Sequence, residues 1–348
     1  MLELHSSDGA FDRIEAYLRE RGFFAPGGED LVASVYLGYG LSEPLRRTSA
    51  PAPPEPCPLP LAAVALADRS GPGPGLSRTD DVSIGPWERT WSEDDYGLAV
   101  EAVRGAIGRG DVYQVNLVQH LSADFEGTPA ALATRLASFE PRTLAGDGWA
   151  VVSASPELFL ARRGHRVWTA PIKGTRPLGE HVEGEKDAAE HVMIVDLERN
   201  DLSRVCQPGS VRWPELMAER ELAGVTHLVS TVEGTLREGV GLAELLAATF
   251  PGGSVTGAPK LAALDQIAAL EPVGRGASMG ALGIVRGNGD LELALTIRTF
   301  AVAEERIHLW VGGGIVWDSE PEAEIAESWT KAGPLLAAIG APVEAARR

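Results

Sequence analysis

Ala170-Pro171-Ile172-Lys173-Gly174-Thr175-Arg176-Pro177 is the stretch from which the rest of the chain is best read. The residues leading into it, Arg166-Val-Trp-Thr-Ala-Pro-Ile, are β-branched or aromatic at several positions. They read as a strand that delivers Lys173 to a Gly-Thr turn. A charged segment follows, and its pattern predicts one long helix over about 184–202. Strand, turn and helix do not alternate strictly elsewhere in the chain, which favours an α+β fold over a doubly wound parallel sheet.

Toward the N-terminus, Leu158–Ala161 and Trp149–Ala154 read as strands around Ser155-Pro156-Glu157. Thr128–Ala137 reads as a helix and Val112–Leu121 as an alternating strand. That strand puts Tyr113, Val115 and Leu117 on one face and Gln114, Asn116 and Val118 on the other. Ser92 opens a helix with Glu93, Asp94 and Asp95 in its first turn, where carboxylates suit the helix dipole. Residues 50–60 and 69–76 are rich in proline or glycine and read as loops. Strands are predicted at Leu31–Tyr39 and Leu61–Ala67, and a helix over 11–22 closed by Gly22.

Toward the C-terminus, Thr226–Thr235 is a strand that carries His227, and Leu242–Ala248 is a helix broken by Pro251-Gly252-Gly253. Ser254 or Thr256 is expected to cap the next helix. Strands near Met279–Val285, Leu291–Ala301 and Ile307–Ile315 precede a final helix over about 321–339. Two parts are expected: a short N-terminal subdomain over 1–90, and a larger region over 91–340 that forms one unit with it.

The composition is that of a globular chain. It has 348 residues, 44% hydrophobic and 23% charged. A formal net charge of −18 argues against nucleic acid or an anionic membrane as partner. Cys57 and Cys206 lack metal-ligand spacing and point to a reducing compartment. No apolar run reaches the length of a membrane span, and the first ten residues lack the order of a signal peptide. A cytoplasmic location is expected.

Several residues could carry chemistry. On the final helix Glu324, Glu327 and Lys331 share one face; on the long helix Asp187 and Glu190 share a face with Ile194. Facing carboxylates from two helices make an oxygen site for Mg²⁺, although the same spacing describes a solvated acidic face. Lys173 is a nucleophile only if its amine is deprotonated, and a surface lysine is the alternative. Arg298 and the amides of Gly312, Gly313 and Gly314 suit a carboxylate. Thr256 and Lys260 stand at a helix N-terminus, which favours an anion.

Three motifs lie in order: Pro171-Ile-Lys-Gly-Thr175, Phe250-Pro-Gly-Gly-Ser-Val-Thr-Gly-Ala-Pro-Lys260, and Gly312-Gly-Gly-Ile-Val-Trp-Asp-Ser-Glu-Pro-Glu322. With the Lys186-Asp-Ala-Ala-Glu190 segment, the chain over about 92–335 resembles the chorismate-utilising enzymes. The resemblance implies large antiparallel sheets flanked by helices around a central cleft. It implies that Glu190 and Glu327 hold Mg²⁺ against the substrate carboxylate, with Glu324 beside them. It implies Glu157 as general acid for a departing 4-hydroxyl and His227 beside that hydroxyl. Gln114, Thr256, Arg298, Gly312–Gly314 and Lys331 are implied to bind substrate.

Lys173 points to the aminodeoxychorismate synthase component I branch, in which this lysine attacks the ring and ammonia then enters at the 4-position. Gln114 stands where hydrating members carry a lysine base, and an amide takes up no proton near neutral pH. Chorismate and ammonia are the implied substrates, on the route to para-aminobenzoate and folate. A separate glutamine amidotransferase subunit (component II) is the implied ammonia source, and a separate aminodeoxychorismate lyase the next enzyme. The alternatives are an anthranilate or 2-amino-2-deoxyisochorismate synthase, or a non-catalytic chorismate-binding subunit. The chain departs from the family at Arg275-Gly276-Ala277-Ser278-Met279-Gly280, where Ser278 replaces an aromatic residue that helps hold a substrate carboxylate.

Overall fold

The computed structural model describes residues 1–67, 82–177, 185–222 and 225–341, and their side chains except at 175–177, 185–187, 189, 222 and 225. The whole of the 69–76 loop and the Asp187 side chain lie outside the described residues. In chain order the strands are β1 (Leu2–Leu4), β2 (Val32–Leu37), β3 (Ala62–Leu66), β4 (Ser83–Ile84), β5 (Glu88–Arg89), β6 (Gln114–Glu126), β7 (Arg142–Ala145), β8 (Trp149–Ser153), β9 (Leu158–Arg163), β10 (Arg166–Ala170), β11 (Ile172–Pro177), β12 (Arg212–Leu222), β13 (Val225–Thr235), β14 (Gly257–Ala258), β15 (Ala281–Arg286), β16 (Leu291–Leu295), β17 (Thr299–Ala303) and β18 (Arg306–Ile315). The α-helices are α1 (Ala10–Arg19), α2 (Glu93–Gly108), α3 (Pro129–Arg135), α4 (Glu185–Ser203), α5 (Leu242–Thr249), α6 (Lys260–Leu270) and α7 (Pro321–Ala338).

One sheet of ten strands runs β1-β3-β2-β15-β16-β9-β10-β13-β11, with β12 added on β13; a second of eight runs β14-β6-β18-β17-β8-β7, with β4 and β5 on β6. Strand pairs across both sheets are antiparallel, as in β2–β15, β9–β10 and β6–β18. This is the α+β architecture that the mixed order of elements predicts. The first three strands, β1–β3, are built into the larger sheet, because β15 pairs with β2 from Leu37 to Val32. The side-chain period of two divides the smaller sheet between two cores. Leu117, Val151 and Trp310 join a core shared with the larger sheet, whereas Val152, Leu309 and Val311 pack with α3 and α7.

Local signals explain most element ends. Ser92 caps α2 by a reciprocal box with Asp95. Gly22 does not close α1; the helix stops at Arg19 and Gly22 takes φ 87° in the turn beyond. The cap expected from Ser254 or Thr256 is absent: α6 begins after Pro259 with no side-chain cap. Strand β12 was not foreseen, since its run of Glu and Arg with Pro214 fits an edge strand only, and its register against β13 shifts twice.

Two corrections matter most for function. The strand predicted to deliver Lys173 is two strands, β10 and β11, parted at Pro171, which has no N–H to continue the ladder. The strand predicted over Leu291–Ala301 is also two, and they belong to different sheets: β16 to the larger, β17 to the smaller. The chain passes between sheets at Thr296-Ile297-Arg298, where Arg298 takes φ 50°. It also passes between them from β8 to β9, through Ser155-Pro156-Glu157. The two crossings are tied together: Leu295 N–H donates to Glu157 O at 3.0 Å, and Ala154 N–H donates to Arg298 O at 3.0 Å.

Candidate active site

The crossings bring an acid, a lysine and an arginine together. Glu157 is buried, and Ser254 Oγ donates to its Oε1 at 2.7 Å. Burial pushes the Glu157 carboxyl up; the Ser254 hydroxyl, the Lys173 charge, the Ile172 N–H and the Arg298 charge each pull it partly back. Ile172 and Lys173 open β11, so one short segment gives Glu157 both an N–H and a cation. Burial holds the Arg298 guanidinium below its usual range, against the opposing pull of Glu157. Lys173 pairs with Leu228 on β13, and the register breaks immediately after it, where Gly174 takes φ 63°. His227 is buried on β13 with Nδ1 2.8 Å from Gly174 O, and burial lowers its pKa.

A second group gathers on the glycine-rich end of β18. Gly312, Gly313 and Gly314 pair with Val118, Leu117 and Asn116 of β6. On the other side β17 reaches only Leu309, so that edge of the glycines carries no strand among the described residues. Lys331 Nζ takes Gly312 O at 3.0 Å and Glu327 Oε1 at 2.7 Å. Glu324 is buried beneath, while Glu327 is exposed at the rim. Gln114 Nε2 donates to Glu190 Oε1 at 2.7 Å.

The absence of side chains at two glycines allows the approach. A Cβ on Gly314 would lie 1.9 Å from Gln114 Nε2 and 2.7 Å from Glu190 Oε1. One on Gly313 would lie 3.5 Å from Glu324 Oε2 and 3.6 Å from Glu327 Oε1. Carboxylates of α4 and α7 therefore reach neighbouring residues of one strand, and hard oxygen donors of this kind suit Mg²⁺. Among the described residues no three His, Cys, Asp or Glu side chains stand close enough to hold a metal by themselves. A cation there would complete its shell with substrate oxygens and water.

The buried face of α4 holds polar groups that the sequence reading left out. His191 Nε2 lies 2.6 Å from Ser230 Oγ, and burial with the Lys173 charge lowers its pKa to about 4. Glu198 accepts from Thr169 Oγ1 at 2.9 Å, and burial followed by the Glu157 charge keeps its carboxyl well above the usual range. Asp201 is paired with Lys260 Nζ at 2.5 Å, and the same ammonium caps Pro251 O at 2.7 Å. Lys260, the first residue of α6, is thus committed to the Asp201 carboxylate of α4 rather than to a bound anion at the helix N-terminus. The Thr256 hydroxyl is likewise turned inward, to Gly252 O at 2.8 Å. The spacing 190, 194, 198, 201 was legible as one helical face, but burial of its acids was not.

Glu198 carries a pH prediction. An acid whose pKa is raised on folding stabilises the fold fully below its unfolded value of about 4.3, and that contribution drains away as pH rises toward the folded value. Glu198→Gln keeps the shape and removes the ionisation. Thermal unfolding midpoints of the two proteins should therefore diverge as pH is raised from about 5 to 8, the variant becoming the more stable. Parallel curves would mean that Glu198 is not the buried neutral acid described here.

Arg275 braces the back of the site. It is buried with Glu271 and donates to Val255 O at 2.8 Å and Asn116 O at 2.6 Å, under the Tyr39 ring. Ser278, in the same loop, is buried with no partner for its hydroxyl among the described residues. The structure thus brings Lys173, Glu157, Arg298 and His227 together at the crossings. It gathers Gln114, Glu190, Glu324, Glu327, Lys331 and Gly312–Gly314 around β18.

A family model described as chorismate binding enzyme matches residues 56–337. The chain is 42% identical over 268 residues to an anthranilate synthase component 1 of Thermus thermophilus, covering 73% of this chain and 58% of that one. It is 40% identical over 266 residues to an aminodeoxychorismate synthase component 1 of Klebsiella aerogenes, covering 72% and 59%. The chain therefore spans little more than half the length of these curated relatives. Among solved structures, anthranilate synthase component I from Streptococcus pneumoniae superposes with a TM-score of 0.77 at 26% identity, over 87% of this chain and 80% of that one. The menaquinone-specific isochorismate synthase of Escherichia coli shares the fold, with a TM-score of 0.75 at 19% identity over 97% and 84%.

Proposed function

The chain belongs to the chorismate binding enzyme family, and on that footing we propose that it aminates chorismate to 4-amino-4-deoxychorismate through a bond to Lys173. The observation that carries the reading is the placement of Lys173 at the start of β11, beside the buried acid Glu157. A nucleophilic amine and a carboxyl whose pKa burial raises are the two groups this substitution needs.

In this reading Glu157 gives its proton to the 4-hydroxyl, which leaves as water, while the Lys173 amine forms a C–N bond to the ring. Ammonia then forms a C–N bond at the 4-position and the lysine departs. His227, fixed by the Gly174 carbonyl, stands beside the leaving oxygen. Arg298 and the open edge of Gly312–Gly314 hold the carboxylates, with Lys331 at their margin. Magnesium, held by Glu190 with Glu327 and Glu324, would neutralise a substrate carboxylate. Ammonia would come from a glutamine amidotransferase subunit, component II, and the product would pass to a separate lyase toward para-aminobenzoate.

The test is a mass measurement. Incubation with chorismate and Mg²⁺ but no ammonia should add chorismate less one water to the peptide that contains Lys173. Product formation without any such adduct, under conditions that trap it, would sink the covalent route. A second reading, amination at the 2-position to anthranilate, draws on the 42% identity to a relative named anthranilate synthase component 1.

A further inference from the structure

Glu198 touches both of the segments from which Glu157 takes its hydrogen bonds. Glu157 accepts from Ser254 Oγ at 2.7 Å and from the Ile172 N–H. Ser254 is the middle residue of the 3₁₀ turn Gly253–Val255, and α4 packs directly on that turn. A Cβ on Gly253 would lie 2.8 Å from Leu197 Cδ2 and 3.5 Å from Glu198 Cγ. Ile172 opens β11 just beyond Thr169 of β10. Thr169 Oγ1 donates to Glu198 Oε2 at 2.9 Å. Glu198, Thr169 and Ser254 are each more than nine-tenths buried.

No step of the amination uses Glu198, and a buried acid is costly unless it is held. Burial and the Glu157 and Asp201 charges push its carboxyl up, against the Thr169 hydroxyl and the Lys260 charge. A neutral acid keeps an oxygen to accept and an O–H to give. Glu198 also lines a cavity of about 10 Å³ with Asp201, Thr249 and Gly252, room for about one water to take that proton.

We propose that Glu198 is a positioning residue for the general acid: it brackets Thr169 and the Gly253–Val255 turn, so that the Ile172 N–H and the Ser254 hydroxyl stay aimed at Glu157. The proposal rests on the reading of Glu157 as proton donor. Hydrogen bonds to a carboxyl favour its ionised form. These two therefore stabilise Glu157 once its proton has gone to the leaving hydroxyl, and they help set the pH at which it ionises. The charges facing Glu157 are Lys173 and Arg298; those facing Glu198 are Glu157, Asp201 and Lys260. Loosening the bracket leaves all of these in place and weakens only the hydrogen bonds.

The experiment follows chorismate consumption at saturating ammonium as a function of pH. Glu198→Leu keeps the bulk and removes the bracket. It should lower kcat about tenfold, the worth of one such hydrogen bond, and leave the KM for chorismate within about twofold. The alkaline limb that belongs to Glu157 should move to higher pH, because the carboxylate has lost donors. Glu198→Gln can still accept from Thr169 and donate from its amide. It should restore at least about a third of the wild-type kcat, with the limb back in place. Thr169→Val should match Glu198→Leu, and the double variant should lose no more than either single one. Thr169→Val carries the same prediction by itself should Glu198→Leu fail to fold. An unmoved kcat and limb in these variants overturn the bracket. So does a fall in kcat with the limb unmoved, which is loss of folded protein, and so do losses that simply add. Anthranilate as product would overturn amination at the 4-position and leave the bracket standing, because the rate is read as chorismate consumed. A wild-type profile without an alkaline limb would remove Glu157 as proton donor, and the bracket with it.

Discussion

Lys173→Ala should leave less than about a thousandth of the wild-type rate of chorismate amination if Lys173 supplies the attacking atom, as proposed. Lys173→Arg falls as far. A guanidinium keeps the charge beside Glu157 but cannot lose its proton to become a nucleophile. The pair of variants separates covalent chemistry from electrostatics: a lysine that served only as a cation would be rescued by arginine. Neither change should unfold the protein, since the Lys173 side chain is half-buried at the start of an edge strand. Steady-state rates with ammonium as nitrogen source, alongside thermal midpoints, provide the check. Retention of more than about a tenth of the rate in Lys173→Ala would remove the lysine from the chemistry.

Glu157→Gln lowers the rate by about 10²–10⁴, the usual worth of a general acid. Glutamine keeps the bond from Ser254 Oγ and the volume of the side chain, so the loss measures the proton and not the packing. The pH profile adds a second readout. Burial keeps Glu157 protonated above the ordinary carboxylate range. The rate should fall as pH rises through that elevated value and the acid ionises, and this alkaline limb should be missing in Glu157→Gln. A wild-type profile in the variant would place the proton donor elsewhere.

Much of this was legible in the chain, and the remainder was hidden for definite reasons. Ser92 with Asp95, the alternation along β6 and the helical spacing of Glu324, Glu327 and Lys331 are local patterns, and each appears in the fold as read. The sheet crossings at Glu157 and Arg298 are not local. A run such as Leu291–Ala301 looks continuous until one knows that its halves pair with partners in different sheets. Charge was misread in a similar way. Lys260 follows a helix-start pattern, but its partner Asp201 is distant in sequence, and tertiary pairing overrode the helix terminus. Glu198 and His191 carried no signal beyond position on a helical face, because burial depends on what the sheet places opposite. Gln114 stood out as a residue type, yet its orientation came only with Glu190.

The central claim is amination at the 4-position, and product identity tests it most directly. The purified chain would be incubated with chorismate, Mg²⁺ and ammonium at mildly alkaline pH, and the products resolved by mass and fluorescence with and without an added aminodeoxychorismate lyase. The expected product is 4-amino-4-deoxychorismate, which the lyase converts to para-aminobenzoate. Anthranilate or the 2-amino isomer would contradict it, and would show that Lys173 does not direct the nitrogen in this chain.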